Sequence, residues 1–547
     1  MEAQEKTPDL GQKNHSGLNE EKKTHDKPPN KGKTKKEERK KKAAKDKTTE
    51  EETKDVTDGV KKLSIAQQEA MINKQKHEKK TLTNIIEEHE IDEESLDKLS
   101  EDDRRGETDI RVAIIGNVDS GKSTLVGVLS KGELDDGRGA ARLKVFNFTH
   151  EAQNGRTSSI GQEIMGFDEN NQWIEPERVK ATKNQTWGNI TEHAQKLVTF
   201  IDLCGHEKYL KTTMFGMVGL LPDYCMIVIG ANMGITRMTR EHLVIALALR
   251  VPIFVAITKV DIAPEEIYEK TINKLKQILE GKSVKKNPIL VEEEDKNLDE
   301  YARRMYDENI CPIFTTSNVT GKGITELKYF MSSLRSRIYK TGKFKPPTEP
   351  VEFMIDGFYM VTGVGGVVAG TLTSGKVKKG DTLYLGPDST GHFKEVNIRS
   401  IHYKRTSVEE VVSGQVCCFN IKPMGKKEQI KRSIFRKGMV LVGKDANPES
   451  IWEFVAEIVI LHNPTTIKQN YQAVIHSGVI RQAAKIMEIG NEDKDTLMMG
   501  DKGYVHFKFM YRPEYLKEGA ALMMREGRSK ALGHVLKIVR PSESTKS

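Results

Sequence analysis

The chain has few of the features that mark secreted, metal-stapled or membrane-spanning proteins. Its 547 residues contain 5 cysteines, and none of these has C-x-x-C spacing. No run approaches the roughly 18 apolar residues that span a bilayer, and the first ten residues lack the apolar core of a signal peptide. These absences speak against a disulfide framework, a structural metal and a membrane anchor. We therefore expect a soluble protein of a reducing, intracellular compartment.

The amino-terminal part of the chain nearly lacks aromatic residues and is rich in Lys, Glu, Asp and Thr. The net charge of the whole chain is +8, but the excess is uneven and Lys31–Lys47 is strongly basic. Such a composition cannot bury enough apolar surface to offset the entropy of ordering. We predict a disordered arm over residues 1–108, with a helix over Val60–His77. The arm's lysines can neutralise RNA phosphates, although a solubilising tail would have the same composition.

From Thr108 onward, short apolar runs alternate with amphipathic stretches. The runs are predicted strands, at Ile110–Ile115, Leu197–Ile201, Cys225–Ile229, Ile253–Ile257 and Pro312–Phe314. This rhythm predicts a doubly wound, mostly parallel α/β domain over residues 109–346. A Pro-rich joint, Lys345–Pro350, ends it. Short β-branched strands with Gly turns follow, as in Gly363–Thr371, and predict two β-barrel domains over residues 347–448 and 449–547.

The first predicted strand runs directly into G-x-x-x-x-G-K-[ST], a phosphate-binding loop over residues 116–123. Its glycines let successive backbone N–H groups point at phosphate oxygens. Lys122 supplies a positive charge to the β and γ phosphates, and the Ser123 hydroxyl can bind Mg²⁺. A nucleoside triphosphate is the indicated ligand class, with contacts from Asn117, Val118, Asp119, Ser120, Gly121, Lys122, Ser123 and Thr124.

A D-x-x-G motif closes the next strand, about eighty residues further on. Asp202 can hold Mg²⁺ through water, and the Gly205 N–H can reach the γ-phosphate. His206 follows at once. It could be a packing or capping histidine, but its place beside a γ-phosphate sensor indicates that it orients the attacking water. The order and spacing of the motifs are those of a GTPase.

The sequence Thr258-Lys259-Val260-Asp261 closes another strand and selects guanine. Asp261 can accept hydrogen bonds from guanine N1–H and N2–H₂, whereas adenine would leave the carboxylate unpaired, a penalty of about 1–3 kcal/mol. Lys259 can lay its aliphatic stem over the base. A third motif follows the strand that ends near Thr316 and would donate a backbone N–H to guanine O6. It consists of Ser317, Asn318 and Val319.

These motifs, followed by two barrels, resemble the translational GTPases related to bacterial elongation factor Tu. Met238–His242 (MTREH), ahead of a helix, is also similar to that group. Three segments resemble the eukaryotic GTP-binding protein 1 and 2 family more closely: Gly116–Gly139, Gly155–Gly161 and Ile201–Gly216. Arg525–Gly533 resembles the end of that family's third domain. The resemblance covers residues 109–540 and leaves the arm outside.

The resemblance implies that Thr157 is the switch threonine, which joins the Mg²⁺ shell while GTP is bound, with Ser159 as the alternative. Val118 matches one side of the apolar gate around the histidine, but Arg156 replaces the isoleucine of the bacterial factor. Asp119 matches a position that holds a monovalent cation near the phosphates. Thr258 replaces the asparagine whose amide braces the phosphate loop, and this predicts weaker nucleotide binding.

A long stretch, Gln162–Lys196, separates the switch from Asp202. Two interpretations stay open for it, a mobile hairpin insertion or a structural cover over the sheet. The barrels carry no catalytic constellation, so we expect them to bind partners. Two groups of cations could contact RNA or be ordinary solvated surface: Arg399, His402, Lys404, Arg405, and Lys426, Lys427, Lys431, Arg432.

The sequence thus predicts a monomeric, cytoplasmic, GTP-hydrolysing switch of the elongation-factor type. GTP or GDP and Mg²⁺ are its ligands, with Lys122, Thr157, Gly205 and His206 at the reacting phosphate. The resemblance implies ribosome and tRNA, or another RNA, as partners. An RNA-surveillance adaptor that recruits decay machinery and uses GTP only as a conformational signal is the alternative. A sulfate-activating GTPase subunit is a third interpretation.

Overall fold

The central strands of the first part of the molecule are buried on both faces. The computed structural model describes Ser100, Arg432 and residues 107–176, 183–282, 284–337, 343–425, 435–463, 465–490, 496–527 and 529–540. The predicted arm lies almost entirely outside these residues, as does its helix. The strands of the α/β domain are β1 (Asp109–Gly116), β2 (Gly161–Phe167), β3 (Lys196–Asp202), β4 (Tyr224–Gly230), β5 (Ile253–Thr258), β6 (Asn287–Leu290) and β7 (Ile310–Thr315).

These strands form one sheet in the order β2-β3-β1-β4-β5-β7-β6. All neighbours are parallel except β2 and β3, which pair antiparallel. The helices of this domain are α1 (Lys122–Lys131), α2 (Ala140–Leu143), α3 (Thr149–Asn154), α4 (Lys183–His193), α5 (Leu210–Gly219), α6 (Arg237–Ala248), α7 (Glu265–Glu280), α8 (Leu298–Asp307) and α9 (Ile324–Ser333). The predicted doubly wound α/β domain is confirmed.

Strand β1 shows why both faces are covered. Ile110, Val112 and Ile114 face the core that contains α1, α8 and α9. Ala113 and Ile115 face the opposite core, with α5, α6 and α7. Burying one such large apolar side chain contributes about 1.5–3 kcal/mol, so a strand buried on both faces anchors the sheet. The loops at its carboxyl-terminal edge, where the motifs lie, are therefore held by a rigid base.

The stretch between the switch and Asp202 forms part of the fold in the described residues. Its first residues are β2, which pairs with β3 along the strand's whole length. Trp173 packs against the core of the sheet. Trp187 on α4 is 6% exposed and packs with the first barrel. The described elements thus form an antiparallel β2–β3 pair, with α4 between the two strands in the chain and packed against the first barrel. The mobility of the stretch stays a prediction.

The second group of strands closes into a barrel, because β11 pairs with both β12 and β16. In β15, Cys417, Phe419 and Ile421 face inward, while Cys418 points to the other face and is partly exposed. The strands are β8 (Glu352–Val361), β9 (Gly365–Ser374), β10 (Lys376–Lys378), β11 (Thr382–Gly386), β12 (Lys394–Tyr403), β13 (Thr406–Val408), β14 (Glu410–Val412), β15 (Val416–Pro423) and β16 (Val440–Val442).

The third group forms a closed barrel in the order β17-β22-β20-β19-β23-β24. Its core contains stacked rings of Phe454 and Phe507, 5.3 Å between centroids. The strands are β17 (Glu453–His462), β18 (Ile467–Lys468), β19 (Gln472–Ser477), β20 (Ile480–Gly490), β21 (Thr496–Leu497), β22 (Lys502–Phe509), β23 (Ala521–Glu526) and β24 (Ser529–Val539). Both predicted barrels are confirmed.

Three contacts join the barrels to the helices that follow the D-x-x-G motif. Lys437 of the first barrel lies over the Phe215 ring of α5, 4.7 Å from its centroid. In the second barrel, an Arg525 Nη1 lies 3.3 Å from Met214 Sδ of α5, and Lys530 pairs with Glu241 of α6. A movement of α5 would therefore change its contacts with both barrels.

Candidate functional site

The phosphate loop sits between β1 and α1, at the carboxyl edge of the sheet. Gly116 has φ 152°, and a side chain there would collide with the Val228 carbonyl of β4. Gly121 begins α1 with φ 87°, a left-handed conformation that favours glycine. Lys122 is buried and its Nζ donates to the Asn117 carbonyl, 2.6 Å away. The loop thus turns one cation and the amino terminus of a ten-residue helix toward the same cleft.

Three oxygen-bearing side chains meet beside this lysine. Ser123 Oγ donates to Asp202 Oδ2 at 2.6 Å and lies 2.7 Å from Thr157 Oγ1. The other carboxylate oxygen, Asp202 Oδ1, is buried and has no hydrogen-bond partner in the described part of the chain. Burial raises the pKa of Asp202 to about 6, against the effects of the Ser123 hydrogen bond and Lys122. Two hydroxyls and a carboxylate with an unused oxygen are hard ligands, and they fit Mg²⁺.

The two switch candidates have different surroundings. Thr157 Oγ1 faces Ser123, whereas the Ser159 hydroxyl and N–H both donate to Glu151 Oε1 at 2.9 Å. Ser158 also gives Glu151 two hydrogen bonds. Burial acts to raise the pKa of Glu151, but the hydrogen bonds from Ser158 and Ser159 hold it below its ordinary value. Glu151 therefore fixes the segment that carries Thr157 and leaves Ser159 turned away from Ser123.

Gly205 and His206 lie at the mouth of the cleft. A Cβ on Gly205 would lie 2.8 Å from the backbone carbonyl of Asn117, so glycine allows this close approach to the phosphate loop. His206 is exposed, and its Nδ1 accepts from the Lys208 N–H at 3.0 Å. Because Nδ1 is the acceptor, the neutral imidazole carries its proton on Nε2. That N–H can donate to a water oxygen and hold it in line with a phosphorus atom.

The guanine motifs meet because β5 and β7 are neighbours in the sheet. The Thr316 N–H donates to the Ile257 carbonyl at 2.7 Å, which sets the two loops side by side. Ser317 Oγ accepts from the Val319 and Thr320 N–H groups and shapes the second loop. Asp261 is exposed, with no hydrogen bond or ion pair to the described residues. The structure thus brings together an available carboxylate and a turn of backbone N–H groups, as base recognition requires.

Thr258 braces the phosphate loop, contrary to the expectation that replacing asparagine would lose this support. Its hydroxyl is buried and donates to the Ser120 carbonyl at 2.6 Å. The side-chain amide of Asn318 also approaches the loop, since a Cβ on Gly121 would lie 3.5 Å from its Nδ2. A shorter side chain on a close-packed strand can therefore replace the amide brace.

The opposite lip of the cleft carries an ion pair. Arg156 Nη2 lies 3.7 Å from Asp119 Oδ2, and the side chains are 58% and 50% exposed. Val118 lines the same cleft. Asp119 was expected to hold a monovalent cation, and in this structure a guanidinium takes the position of its counter-ion. The second side of the gate is thus charged, as the sequence indicated.

Three further residues of the cleft were missed in the sequence. Arg142 and Tyr209 line it together with Lys122, Ser123 and Thr157, and Glu151 organises the segment beside it. No motif marks them, because their roles depend on a loop folding back over the phosphate loop. The only available signal was Gly137-Arg138-Gly139, whose glycines indicate a special backbone conformation.

The cations expected to contact RNA divide into two kinds. Lys404 is 3% exposed and pairs with Asp109 at 2.8 Å, so it is not available to RNA. Arg405 lies over the Trp187 ring, 4.9 Å from its centroid. Arg399, His402 and Arg432 are exposed. The remaining residues of the second group lie outside the described part of the chain.

Two kinds of feature are absent from the described residues. None of their helices is both long and apolar enough to cross a membrane. No group of three or more His, Cys, Asp or Glu side chains is placed there to hold a metal ion. The fit to Mg²⁺ therefore depends on hydroxyl groups as much as on Asp202.

Comparisons with known proteins define the class. Residues 107–337 match the elongation factor Tu GTP binding domain family, and residues 365–442 match elongation factor Tu domain 2. The fold is similar to that of translation elongation factor SelB from Methanococcus maripaludis in complex with the GTP analogue GppNHp. The TM-score is 0.53 at 20% identity, over 79% of this chain and 80% of that one. The molecule is a GTPase of the elongation factor Tu type.

The particular family follows from closer relatives. The chain is 47% identical to GTP-binding protein 1 of Xenopus laevis, over 80% of this chain and 64% of that protein. It is 42% identical to GTP-binding protein 2 of Mus musculus, over 78% of this chain and 69% of that protein. The chain belongs to the GTP-binding protein 1 and 2 family. It spans about two thirds of the length of these curated relatives.

Proposed function

We propose that this chain is a translational switch that hydrolyses GTP on the ribosome while holding a tRNA or another RNA. The observation that carries the proposal is that Thr157 and Asp202 each lie within 2.7 Å of the Ser123 hydroxyl, with His206 lining the same cleft. A binding module that never turned over GTP would not need a water-orienting histidine there. Contacts of α5 with both barrels give the switch a route to its partners.

In the proposed mechanism the protein supplies position and charge. Lys122 leaves the Asn117 carbonyl and binds the β and γ phosphates, and the Gly205 N–H holds a γ-phosphate oxygen. Ser123, Thr157 and, through water, Asp202 would hold Mg²⁺, which neutralises phosphate charge when bound. His206 Nε2–H donates to the attacking water. When the γ-phosphate departs, Thr157 and Gly205 lose their partner and the segments beside them relax.

The proposal assigns GTP to the domain predicted over residues 109–346 and partners to the domains predicted over residues 347–448 and 449–547. The recognition of guanine falls to Lys259 and Asp261 with Ser317, Asn318 and Val319. The relatives named as elongation factors support ribosome and tRNA as partners. Among the predicted RNA contacts, Arg399, His402 and Arg432 stay available on the first barrel. Work on ribosomes would place the protein in the cytoplasm.

The test is GTP turnover by the purified chain with and without ribosomes, for wild type and His206→Ala. We expect ribosomes to stimulate turnover strongly, by up to about 10⁵-fold as partners do in this class. His206→Ala should lower stimulated turnover by about 10²–10⁴ while GTP affinity stays unchanged. His193→Ala, an exposed histidine of α4 that does not line the cleft, is the matched control. Slow turnover that ribosomes do not change would contradict the proposal.

A further inference from the structure

A half-buried arginine in the cleft has no ion-pair partner among the residues that the structure describes. Arg142 lines the cleft beside Lys122, Thr157 and His206. No carboxylate of the described residues lies within ion-pair distance of its guanidinium, whereas the nearby Arg156 pairs with Asp119. A guanidinium removed from much of its water loses free energy unless an anion or acceptor replaces that water. The neighbouring side chains identify the anion as a nucleotide phosphate.

A short segment, residues 133–141, holds Arg142 in place, and we call it the strap. Asp135 anchors it at both ends. Its N–H donates to the Asn318 carbonyl of the guanine loop at 2.8 Å. Its carboxylate accepts from the N–H groups of Gly137, Gly139 and Ala141 at 2.9–3.1 Å. The strap therefore connects the base-binding end of the cleft to the helix that carries Arg142.

Two glycines make room for the guanidinium. Gly139, just before α2, has φ 99°, and Gly155, just after α3, has φ 64°. A Cβ on Gly139 would lie 2.8 Å from Arg142 Cζ, and one on Gly155 would lie 3.1 Å from its Nη2. The guanidinium is thus packed between two backbone turns, one on the strap and one two residues before Thr157. Such packing fixes its direction before any nucleotide binds.

We propose that Arg142 donates hydrogen bonds to γ-phosphate oxygens of GTP and offsets the charge that develops as the γ-phosphoryl group leaves. This inference rests on the proposed phosphate site. The γ end is the expected contact, because Thr157, Gly205 and His206 line the same cleft and the guanidinium packs on Gly155, two residues before Thr157. Arginine suits this role since its planar fork binds two phosphate oxygens at once. Asp135 is a positioning residue that acts through Arg142.

The test compares Arg142→Ala, Arg142→Lys and Arg138→Ala in the full-length chain. Arg138 lies on the same strap but is exposed and does not line the cleft, so it is a matched charge control. The readouts are affinity for GDP, affinity for the GTP analogue GppNHp, single-turnover GTP hydrolysis and thermal unfolding without nucleotide. The three ligand readouts separate a γ-phosphate contact from general support of the site.

For Arg142→Ala we expect single-turnover hydrolysis to fall by about 10- to 100-fold, the effect of losing a charged hydrogen bond. GppNHp affinity should fall, and GDP affinity should stay within about twofold of wild type. Arg142→Lys should recover only part of the loss, because an ammonium lacks the fork. Asp135→Asn should slow the same step by a smaller factor. Arg138→Ala should behave as wild type.

An equal loss of GDP and GppNHp affinity, or hydrolysis equal to that of Arg138→Ala, would overturn the inference. If Arg142→Ala unfolds early, Arg142→Lys decides, since it keeps length and charge. Lys122→Ala, measured in parallel, distinguishes a failure of the Arg142 inference from a failure of the proposed phosphate site. Loss of all nucleotide binding in Lys122→Ala with a silent Arg142→Ala would overturn only this inference. Normal GTP binding in Lys122→Ala would overturn the proposed phosphate site as well.

Discussion

The two edges of the α/β sheet place charged groups in opposite ways. At the carboxyl edge, Asp261 and His206 are exposed, and Asp202 has a buried oxygen that no described residue pairs with. At the amino edge, Asp109 is fully buried and has three partners from β3 and the first barrel. These are the Thr199 hydroxyl at 2.6 Å, the Lys404 ammonium at 2.8 Å and the Tyr403 hydroxyl at 3.5 Å. The carboxyl edge thus leaves its polar groups accessible to ligands, whereas the amino edge pairs its buried carboxylate with protein groups.

A second carboxylate at the amino edge follows the same rule. Asp223 accepts from the Arg111 N–H and the Arg337 N–H, each at 2.9 Å. The Arg111 guanidinium lies over the Phe344 ring, 4.7 Å from its centroid, where the chain enters the first barrel. Burial raises the pKa of Asp223 and Arg111 acts against this. The amino edge is thus a joint between domains, while the carboxyl edge stays open for ligands, as expected of a parallel sheet.

The largest effect should come from removing the buried Lys404–Asp109 ion pair at the amino edge. Lys404→Ala would leave the Asp109 carboxylate buried without its counter-ion, so we expect a loss of about 3–5 kcal/mol in the free energy of unfolding. Urea denaturation measures it. Lys379→Ala is the control, because its pair with Glu409 is exposed and worth less than about 1 kcal/mol. The double variant Asp109→Leu with Lys404→Met should lose less than Lys404→Ala alone.

At the open edge, Asp261→Asn should change base selectivity and leave stability unchanged. An amide cannot accept both guanine N–H groups, but it can donate to the 2-oxo group of xanthine. We expect the preference for GTP over xanthosine triphosphate to fall by about 10- to 100-fold. Competition binding with the two nucleotides measures it. Glu265→Gln, an exposed carboxylate just beyond the motif, is the control. If the variant keeps the wild-type preference, Asp261 does not recognise the base.

The sequence was informative wherever a role depends on residues that lie close together in the chain. The fold class followed from apolar runs such as Ile110–Ile115, which a parallel sheet buries on both faces. The phosphate and guanine motifs followed from chemistry, since Lys122 and Asp261 have defined tasks at fixed spacing. Strand β2 was missed because its alternation is interrupted by Gly166 and it precedes a stretch without clear periodicity.

Roles that depend on distant partners could not be predicted. Lys404 was assigned to a surface patch, and its burial depends on Thr199, 205 residues away, and on Asp109. Thr258 was expected to weaken the phosphate loop because the contact with Ser120, 138 residues away, is not encoded locally. Arg142 had no motif at all. In each case the missing information was the packing of loops at a sheet edge.

A smaller effect at the open edge should come from Thr258→Val. Valine has almost the same shape but cannot donate to the Ser120 carbonyl, so the phosphate loop loses one buried hydrogen bond. We expect GDP and GTP affinities to fall together by about 3- to 10-fold. Thr258→Ser keeps the hydroxyl and should restore both. Unchanged affinities in Thr258→Val would mean that the brace does not support the loop.

The smallest effect should come from Arg156→Ala, which removes the ion pair with Asp119 at the lip of the cleft. Both side chains are at least half exposed, so the pair is screened by water and worth less than about 1 kcal/mol. We expect nucleotide dissociation to accelerate by less than about fivefold at low salt, and the difference to vanish at high salt. Stopped-flow release of a fluorescent GDP measures it. A large, salt-independent acceleration would mean that Arg156 contacts the nucleotide itself, and the open edge would then hold two phosphate-directed arginines.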